Sequence, residues 1–462
     1  MNIYSTRHKL SGNITVPGSK SHTIRALILA SLAEGVSTIH NPLPSADCLS
    51  TAGALSLIGA EVELNLSTEG SPGNDWFVKG AGKKIHLPDD VVNVGNSGSL
   101  LYFLSPIAST FNGWSVFTGD ESIRKRPVNH VADVLNQMGA TAFTSIPDSK
   151  VCPLIIKGPV KSGCTVRTDG TASSQYISGL MMSALRMDKP LSIELSDPKE
   201  TPYLVMTKKW LEKIGARVEM TDDFKHIKVE ASEKINSFDC TVPSDWEAVA
   251  FPLVAALISD GEVCIENIDG SGTQGDDAIV DVLKSLGGDI NWDKEKNKIT
   301  VTGKNRLSTE HLEGGELHVN LSGYPDAICA LAVAACFTEG TVFIEDIAVC
   351  RRKETDRIKV LKSELEKLGA EIEEGEDFMI IHGHSPLLAD GTKNPDFALH
   401  GAEVESYSDH RVAMSLACLG LGLPEEMSVT VKNAECCAVS FPRFFEIMNS
   451  IGAGFTKGKE GL

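Results

Sequence analysis

"LKSELEKLGAEIEE", residues 361–374, holds a helix end, a glycine turn and the start of a strand in one short run. Leu361, Leu365 and Leu368 recur at helical spacing, Gly369 follows the last of them, and an extended segment takes over at Ala370. Glycine just past the last apolar position suits a left-handed helix C-cap, because it reaches positive φ without a Cβ clash.

The same motif recurs six times, as Ile58-Gly59-Ala60, Met138-Gly139-Ala140, Ile214-Gly215-Ala216, Leu286-Gly287-Gly288, Leu368-Gly369-Ala370 and Ile451-Gly452-Ala453. The first glycines are spaced by 80, 76, 72, 82 and 83 residues. A second element keeps the same period: a polar tip followed by a long helix of small apolar residues. Its copies are SKSHTIRALILASLAEG, NSGSLLYFLSPIAS, SSQYISGLMMSAL, SDWEAVAFPLVAALISDG, YPDAICALAVAACFTEG and SDHRVAMSLACLGLG. These helices are apolar nearly all round, which predicts burial. Ser21, Ser97, Ser173, Asp245, Asp326 and Asp409 mark the six starts as expected N-caps. Two such elements per period give six copies of one αβ unit, hence two domains of three units with buried helices and outer sheets.

Bulk composition narrows the function classes. The chain of 462 residues is 42% hydrophobic and 23% charged, as expected of a globular protein, with a formal net charge of −19. That charge argues against nucleic acid or an anionic membrane as partner. No run of about 18 apolar residues occurs, and MNIYSTRHKLSGN lacks a signal peptide's apolar core, so a cytoplasmic location is expected. Eleven scattered cysteines without a C-x-x-C pair point to reduced, buried thiols. His382 and His384 read as a strand end rather than a metal site, the glycine-rich 270–276 as a turn, and 456–462 as a solvated end.

Against the acidic background, cations gather at helix starts. Lys20 and Arg25 flank one tip, His410-Arg411 opens another, and Arg124–Pro127 and Arg351–Arg357 form dense runs before helices. A helix start exposes unpaired N–H groups and the positive end of the macrodipole, so it attracts anions. Arginine forks fit carboxylate and phosphate, and Glu354 and Asp326 are candidate proton carriers beside them.

Taken together, "PGSKSHTIR", "GNSGS", "KRP", "SSQ", "TPY", "PDA", "RRKETDR", "SDHR" and "SFP" run over essentially the whole chain in the order of the enolpyruvyl (carboxyvinyl) transferases. The chain resembles that family, and within it the branch whose acceptor is shikimate 3-phosphate. The resemblance implies an inverse α/β barrel-like fold: two similar domains, each of three βαβαββ units. One domain is expected from 1–19 plus 244–462 and the other from 20–243, with the active site in the interdomain cleft. It implies transfer of the carboxyvinyl group of phosphoenolpyruvate to the 5-hydroxyl of shikimate 3-phosphate, with release of phosphate, on the way to chorismate and the aromatic amino acids. No metal and no organic cofactor is implied, and a monomer is expected.

Site residues follow from the resemblance motif by motif. Lys20, Asn96, Gly98, Arg126, Gln175, Arg357 and Arg411 would hold phosphoenolpyruvate. Ser21, Arg25, Ser173, Ser174, Gln175, Tyr203, Asp326 and Lys353 would hold the acceptor. Lys20, Asp326, Glu354 and His410 would carry the proton transfers. The family is the glyphosate target; Gly98 implies sensitivity to that inhibitor, and the loss of a lysine at Val439 works against it.

Five positions depart from the family pattern: Glu200 replaces a hydroxyl before the "TPY" segment, Glu247 a serine, Ser122 and Tyr102 arginines, and Val439 a lysine. A carboxylate at Glu200 would repel the acceptor's phosphate, so either Thr201 supplies the hydroxyl locally or the chain is a relative acting on another hydroxylated acceptor. A sugar-nucleotide carboxyvinyl transferase and a non-catalytic anion-binding relative are further alternatives. The first commonly carries a reactive cysteine where this chain has Glu121, and the second would be expected to lose the proton carriers first.

Overall fold

The computed structural model describes residues 1–65, 75–232 and 234–458. All six motif glycines are left-handed, with φ of +95° at Gly59, +90° at Gly139, +92° at Gly215, +91° at Gly287 and Gly369, and +95° at Gly452. In each copy the amide after the glycine returns to a carbonyl five residues back: Ala60 to Leu55, Ala140 to Leu135, Ala216 to Leu211, Gly288 to Leu283, Ala370 to Leu365 and Ala453 to Met448. The glycine amide bonds three residues back. This double closure is the Schellman motif, and it turns the chain from an outer helix into a strand.

Inner and outer helices alternate along the chain. The inner ones are α1 (Lys20–Leu32), α3 (Gly98–Ala108), α5 (Ser174–Ser183), α7 (Trp246–Ile258), α9 (Ile328–Cys336) and α11 (His410–Gly422). The outer ones are α2 (Ala46–Ser56), α4 (Asn129–Gln137), α6 (Thr201–Lys213), α8 (Ile279–Ser285), α10 (Arg357–Glu366) and α12 (Phe444–Ser450). Every residue of α9 and α11 is buried, as the all-round apolar pattern predicts. Ser97, Ser173, Asp245 and Asp409 cap their helices through the side chain.

Two expected caps differ. Ser19, in extended conformation, caps α1 by accepting from the His22 amide, which places Ser21 inside the first turn. Asp326 lies in a 3₁₀ turn, Pro325–Ala327, that leads into α9, so its carboxylate is released from capping and turns to cations instead.

The backbone divides into two compact units, one of Met1–Pro17 with Ser244–Leu462 and one of Gly18–Pro243. Each has one contiguous apolar core around its inner helices: α7, α9 and α11 in the first, α1, α3 and α5 in the second. Among the described residues each unit carries three four-stranded sheets of the same pattern, one parallel pair followed by two antiparallel pairs. Glu316–Asn320 and Gly340–Glu345 are the parallel pair around α9, and Phe378–Gly383 with Glu371–Glu374 complete that sheet. This is a βαβαββ unit, and the α/β expectation holds throughout.

Two sheets exchange their first strands. Ser11–Thr15 precedes α1 in sequence but pairs with Glu262–Glu266, whereas Asp239–Thr241 precedes α7 but pairs with Glu34–His40. Ile3–Thr6 joins the last sheet between Ser428–Lys432 and Thr456–Lys457. Thr456 and Lys457 are exposed, in keeping with a solvated end, yet they also pair as a strand; 459–462 lie outside the described residues.

No helix among the described residues is long and apolar enough to cross a membrane. The eleven cysteines are free thiols, eight of them buried. No group of three metal-ligating side chains occurs among the described residues. His382 pairs with Glu373 and His384 with Glu339, apart from one another.

Candidate active site

The first unit gathers its charges where α10 and α11 begin and α9 is entered. Arg357, the first residue of α10, is 1% exposed and forks onto three carboxylates. Its Nε donates to Asp409 Oδ2 at 2.8 Å, its Nη2 to Glu354 Oε2 at 2.7 Å, and its Nη1 to Asp326. Burial pulls this guanidinium down, but the charges of Asp409, Glu354 and Asp326 outweigh it and hold the group well above the ordinary arginine value. Lys353 Nζ lies 3.4 Å from Asp326 Oδ2, and Arg411 Nε lies 3.4 Å from Asp326 Oδ1. Arg411, nearly buried, also pairs with Glu247 in the first turn of α7.

These three cations thus meet four carboxylates. Sequence alone placed Glu354 and Asp326 beside these cations; the fold adds Asp409 and Glu247, because ions held this deep need partners. Asp409 does double duty. It caps α11 by accepting from the Arg411 amide at 3.0 Å and also accepts from Thr355 Oγ1. His410 is 1% exposed at the start of α11, and its carbonyl accepts from the Cys437 thiol.

In the second unit Arg25 projects from α1 and is fully buried. Its Nε donates to Thr207 Oγ1 at 2.8 Å, and its Nη1 to the Ser21 carbonyl at 3.0 Å. Nη2 reaches Ser178 Oγ, the Tyr203 carbonyl and Gln175 Oε1 at 3.3–3.5 Å. The guanidinium stands over the Phe103 ring, 4.8 Å from its centroid. Burial lowers it to about 9, against a smaller opposing pull from Tyr203 and Glu200, so it remains a cation at neutral pH. Arg25 thereby ties α1 to α5 and α6.

At the start of α5, Ser174 N and Oγ both donate to Glu200 Oε2 at 2.9 Å, and Ser173 Oγ donates to the same oxygen at 3.4 Å. Ser173 Oγ also accepts from the Gln175 amide as cap. Lys20, first residue of α1, has its Nζ 3.5 Å from Asp47 Oδ2 on α2. At α3, a Cβ on Gly98 would come within 2.6 Å of Arg126 Nη1, so glycine is what lets that guanidinium lie against the helix start. Asn96 donates to Asp120 Oδ2 at 2.6 Å. Tyr102, at the position of a family arginine, donates its hydroxyl to the Pro127 carbonyl at 3.0 Å.

Of the sequence-predicted residues, the fold brings Asp326, Lys353, Glu354, Arg357 and Arg411 into one network in the first unit. In the second it joins Ser21, Arg25, Gln175 and Tyr203 around one guanidinium, Ser173 and Ser174 around one carboxylate, and Gly98 with Arg126. Sequence reading missed the partners: Asp47, Asp120, Ser178, Thr207 and the pairing role of Asp409. Two of these carried a usable signal, since Ser178 follows Ser174, and Thr207 follows Tyr203, by one helical turn.

A family model described as EPSP synthase (3-phosphoshikimate 1-carboxyvinyltransferase) matches residues 4–448. The chain belongs to the EPSP synthase family. A 3-phosphoshikimate 1-carboxyvinyltransferase of Ruminiclostridium cellulolyticum is 37% identical over 96% of both chains. One of Methanocaldococcus jannaschii is 35% identical over 98% of both. A solved EPSP synthase from Acinetobacter baumannii superposes with a TM-score of 0.78 at 27% identity, covering 99% of this chain and all of that one. An EPSP synthase is a transferase of the shikimate pathway: it moves the carboxyvinyl group of phosphoenolpyruvate to the 5-hydroxyl of shikimate 3-phosphate and releases phosphate, and this is the reaction of this chain.

Proposed function

We propose that the two clusters divide the carboxyvinyl transfer between them. Lys20, Asn96, Gly98, Arg126, Gln175, Arg357 and Arg411 hold the carboxylate and phosphate of phosphoenolpyruvate. Ser21, Arg25, Ser173, Ser174, Gln175, Tyr203, Asp326 and Lys353 hold the acceptor. Glu354 with Lys20 delivers a proton to the methylene carbon of phosphoenolpyruvate, which makes the adjacent carbon cationic. Asp326 takes the proton of the 5-hydroxyl as its oxygen attacks that carbon. The tetrahedral adduct then loses phosphate and a methyl proton, which restores the vinyl group. His410, next to Asp409 and Arg411, assists the proton movement.

One observation supports this reading above the others: Asp326 and Glu354 share the Arg357 fork, and Lys353 stands against Asp326. A carboxylate oxygen of Asp326 and one of Glu354 thus meet on a single guanidinium, which puts a proton acceptor and a proton donor within one network. The test is direct. Purified protein with phosphoenolpyruvate and shikimate 3-phosphate should release phosphate and form the enol ether, whereas shikimate or a sugar nucleotide as acceptor should give far less product. Equal turnover with unphosphorylated shikimate would favour the second reading, a different acceptor, which the Glu200 carboxylate seated against the start of α5 supports. We further propose a cytoplasmic monomer that engages neither nucleic acid nor membrane and is inhibited by glyphosate at the phosphoenolpyruvate site.

A further inference from the structure

Glu200 stands where the family pattern has a hydroxyl, and the fold invests in its placement. Its backbone is left-handed, with φ +51° and ψ +38°, a conformation that costs a non-glycine residue about 1 kcal/mol or more. It is the residue before α6, yet its side chain does not cap that helix. The carboxylate instead crosses to α5, where one oxygen accepts from the Ser174 amide, the Ser174 hydroxyl and the Ser173 hydroxyl. The residue is 2% exposed. An amide at a helix start flanked by two hydroxyls is a seat for an oxyanion, and in this chain the seat is taken by an oxyanion of the protein itself.

We propose that Glu200 is a specificity-determining residue: its carboxylate fills the anion seat at the start of α5, and the phosphate of the acceptor binds by displacing it. The proposal rests on the reading of Ser173 and Ser174 as acceptor-binding groups. Displacement sets a tariff on the phosphorylated acceptor alone, because phosphoenolpyruvate has no claim on this seat. It therefore raises the KM for shikimate 3-phosphate while leaving kcat and the KM for phosphoenolpyruvate untouched. The rival account makes Glu200 a purely structural counter-charge for buried Arg25, whose guanidinium feels it only after Tyr203.

Steady-state kinetics of Glu200→Ser and Glu200→Gln separates the two. Removing one charge-assisted competitor for the seat is expected to lower the KM for shikimate 3-phosphate about tenfold in Glu200→Ser, with kcat within about twofold. An unchanged or raised KM in both variants overturns the proposal, and a lowered thermal midpoint beside it assigns Glu200 the structural role. Ser173→Ala/Ser174→Ala tests the underlying reading by itself: if that variant leaves the KM for shikimate 3-phosphate unmoved, the seat is not the acceptor's. Should the Glu200 variants fail to fold, a crystal structure of the unaltered protein with shikimate 3-phosphate carries the test. Phosphate on the Ser174 amide with Glu200 turned away supports displacement; Glu200 still in place with phosphate elsewhere refutes it.

Discussion

Replacing Asp409 probes the first cluster most sharply, because that one side chain serves a helix and an ion at once. It is wholly buried; it caps α11 through the Arg411 amide and receives Arg357 through Nε at 2.8 Å and Nη2 at 3.2 Å. Asparagine caps nearly as well as aspartate, so Asp409→Asn keeps the cap and removes the charge. Stripping a buried ion of its partner costs about 3–5 kcal/mol; Arg357 retains Glu354 and Asp326, which brings the expected loss to about 2–3 kcal/mol. For a unit of this size that corresponds to a fall in melting temperature of about 4–12 °C. Asp409→Ala loses the cap as well, about 1 kcal/mol and a further 2–4 °C. Differential scanning calorimetry reads both. Arg357, no longer held from one side, should also give a KM for phosphoenolpyruvate raised about tenfold. If Asp409→Asn melts within about 1 °C of the parent, the buried pair contributes nothing net and the electrostatic account of this cluster fails.

Three further outcomes follow from single distances and angles. Gly98→Ala puts a methyl 2.6 Å from Arg126 Nη1, so the guanidinium must swing away; the KM for phosphoenolpyruvate should rise about threefold to tenfold while that for the acceptor stays constant, which initial-rate kinetics will show. Gly287 and Gly369 share φ +91°, but an added Cβ would lie 3.3 Å from the Arg306 carbonyl in one and 2.5 Å from the Ala398 carbonyl in the other. Urea unfolding should therefore find Gly369→Ala less stable than Gly287→Ala by about 1–3 kcal/mol, the usual cost of overpacking against fixed backbone. His40 lies 2.7 Å from Asp75 and 3.0 Å from Asp239, and its hydrogen bonds to Asp75 and then Asp239 raise its pKa above 6.5. A raised histidine pKa stabilises the fold fully below the unfolded value and loses that stabilisation as pH climbs through the folded one. The stability gap between the parent and His40→Gln should accordingly narrow from pH 5.5 to pH 8.5 in denaturant titrations, by a modest amount since the ring is solvent-accessible.

The repeat was legible because local geometry enforces it. A Schellman closure needs a residue with positive φ, and Gly59, Gly139, Gly215, Gly287, Gly369 and Gly452 announce it in the one-dimensional text. Apolar surround announced the inner helices in the same way. The cations were legible too, since lysines and arginines at helix starts in an acidic chain are conspicuous. Of their counter-ions only Glu354 and Asp326 were. Arg411 finds Glu247 from 164 positions away, and Arg357 finds Asp409 across 52. Such pairs are set by how inner helices pack, which no local rule encodes. Asp326 shows the same limit from the other side: its place before α9 predicted a cap, and the 3₁₀ turn at Pro325–Ala327 aimed it elsewhere. The exchange of Ser11–Thr15 and Asp239–Thr241 between sheets is absent from the repeat for a related reason, because either strand suits either parallel neighbour by pattern alone; only the family resemblance, which groups 1–19 with 244–462, implied it.

The placement of Ile3–Thr6 between Ser428–Lys432 and Thr456–Lys457 has a bearing on how the polypeptide matures as it leaves the ribosome. Gly18–Pro243 is one unbroken stretch, so it can close its core while the remainder is still being translated. Ile3–Thr6, although made before the rest of its unit, must stay unpaired until its neighbours more than 400 residues downstream emerge. Birth order and completion order are thus reversed for the first unit, and Ile3–Thr6 waits, open to chaperones and proteases, throughout the synthesis of Gly18–Pro243.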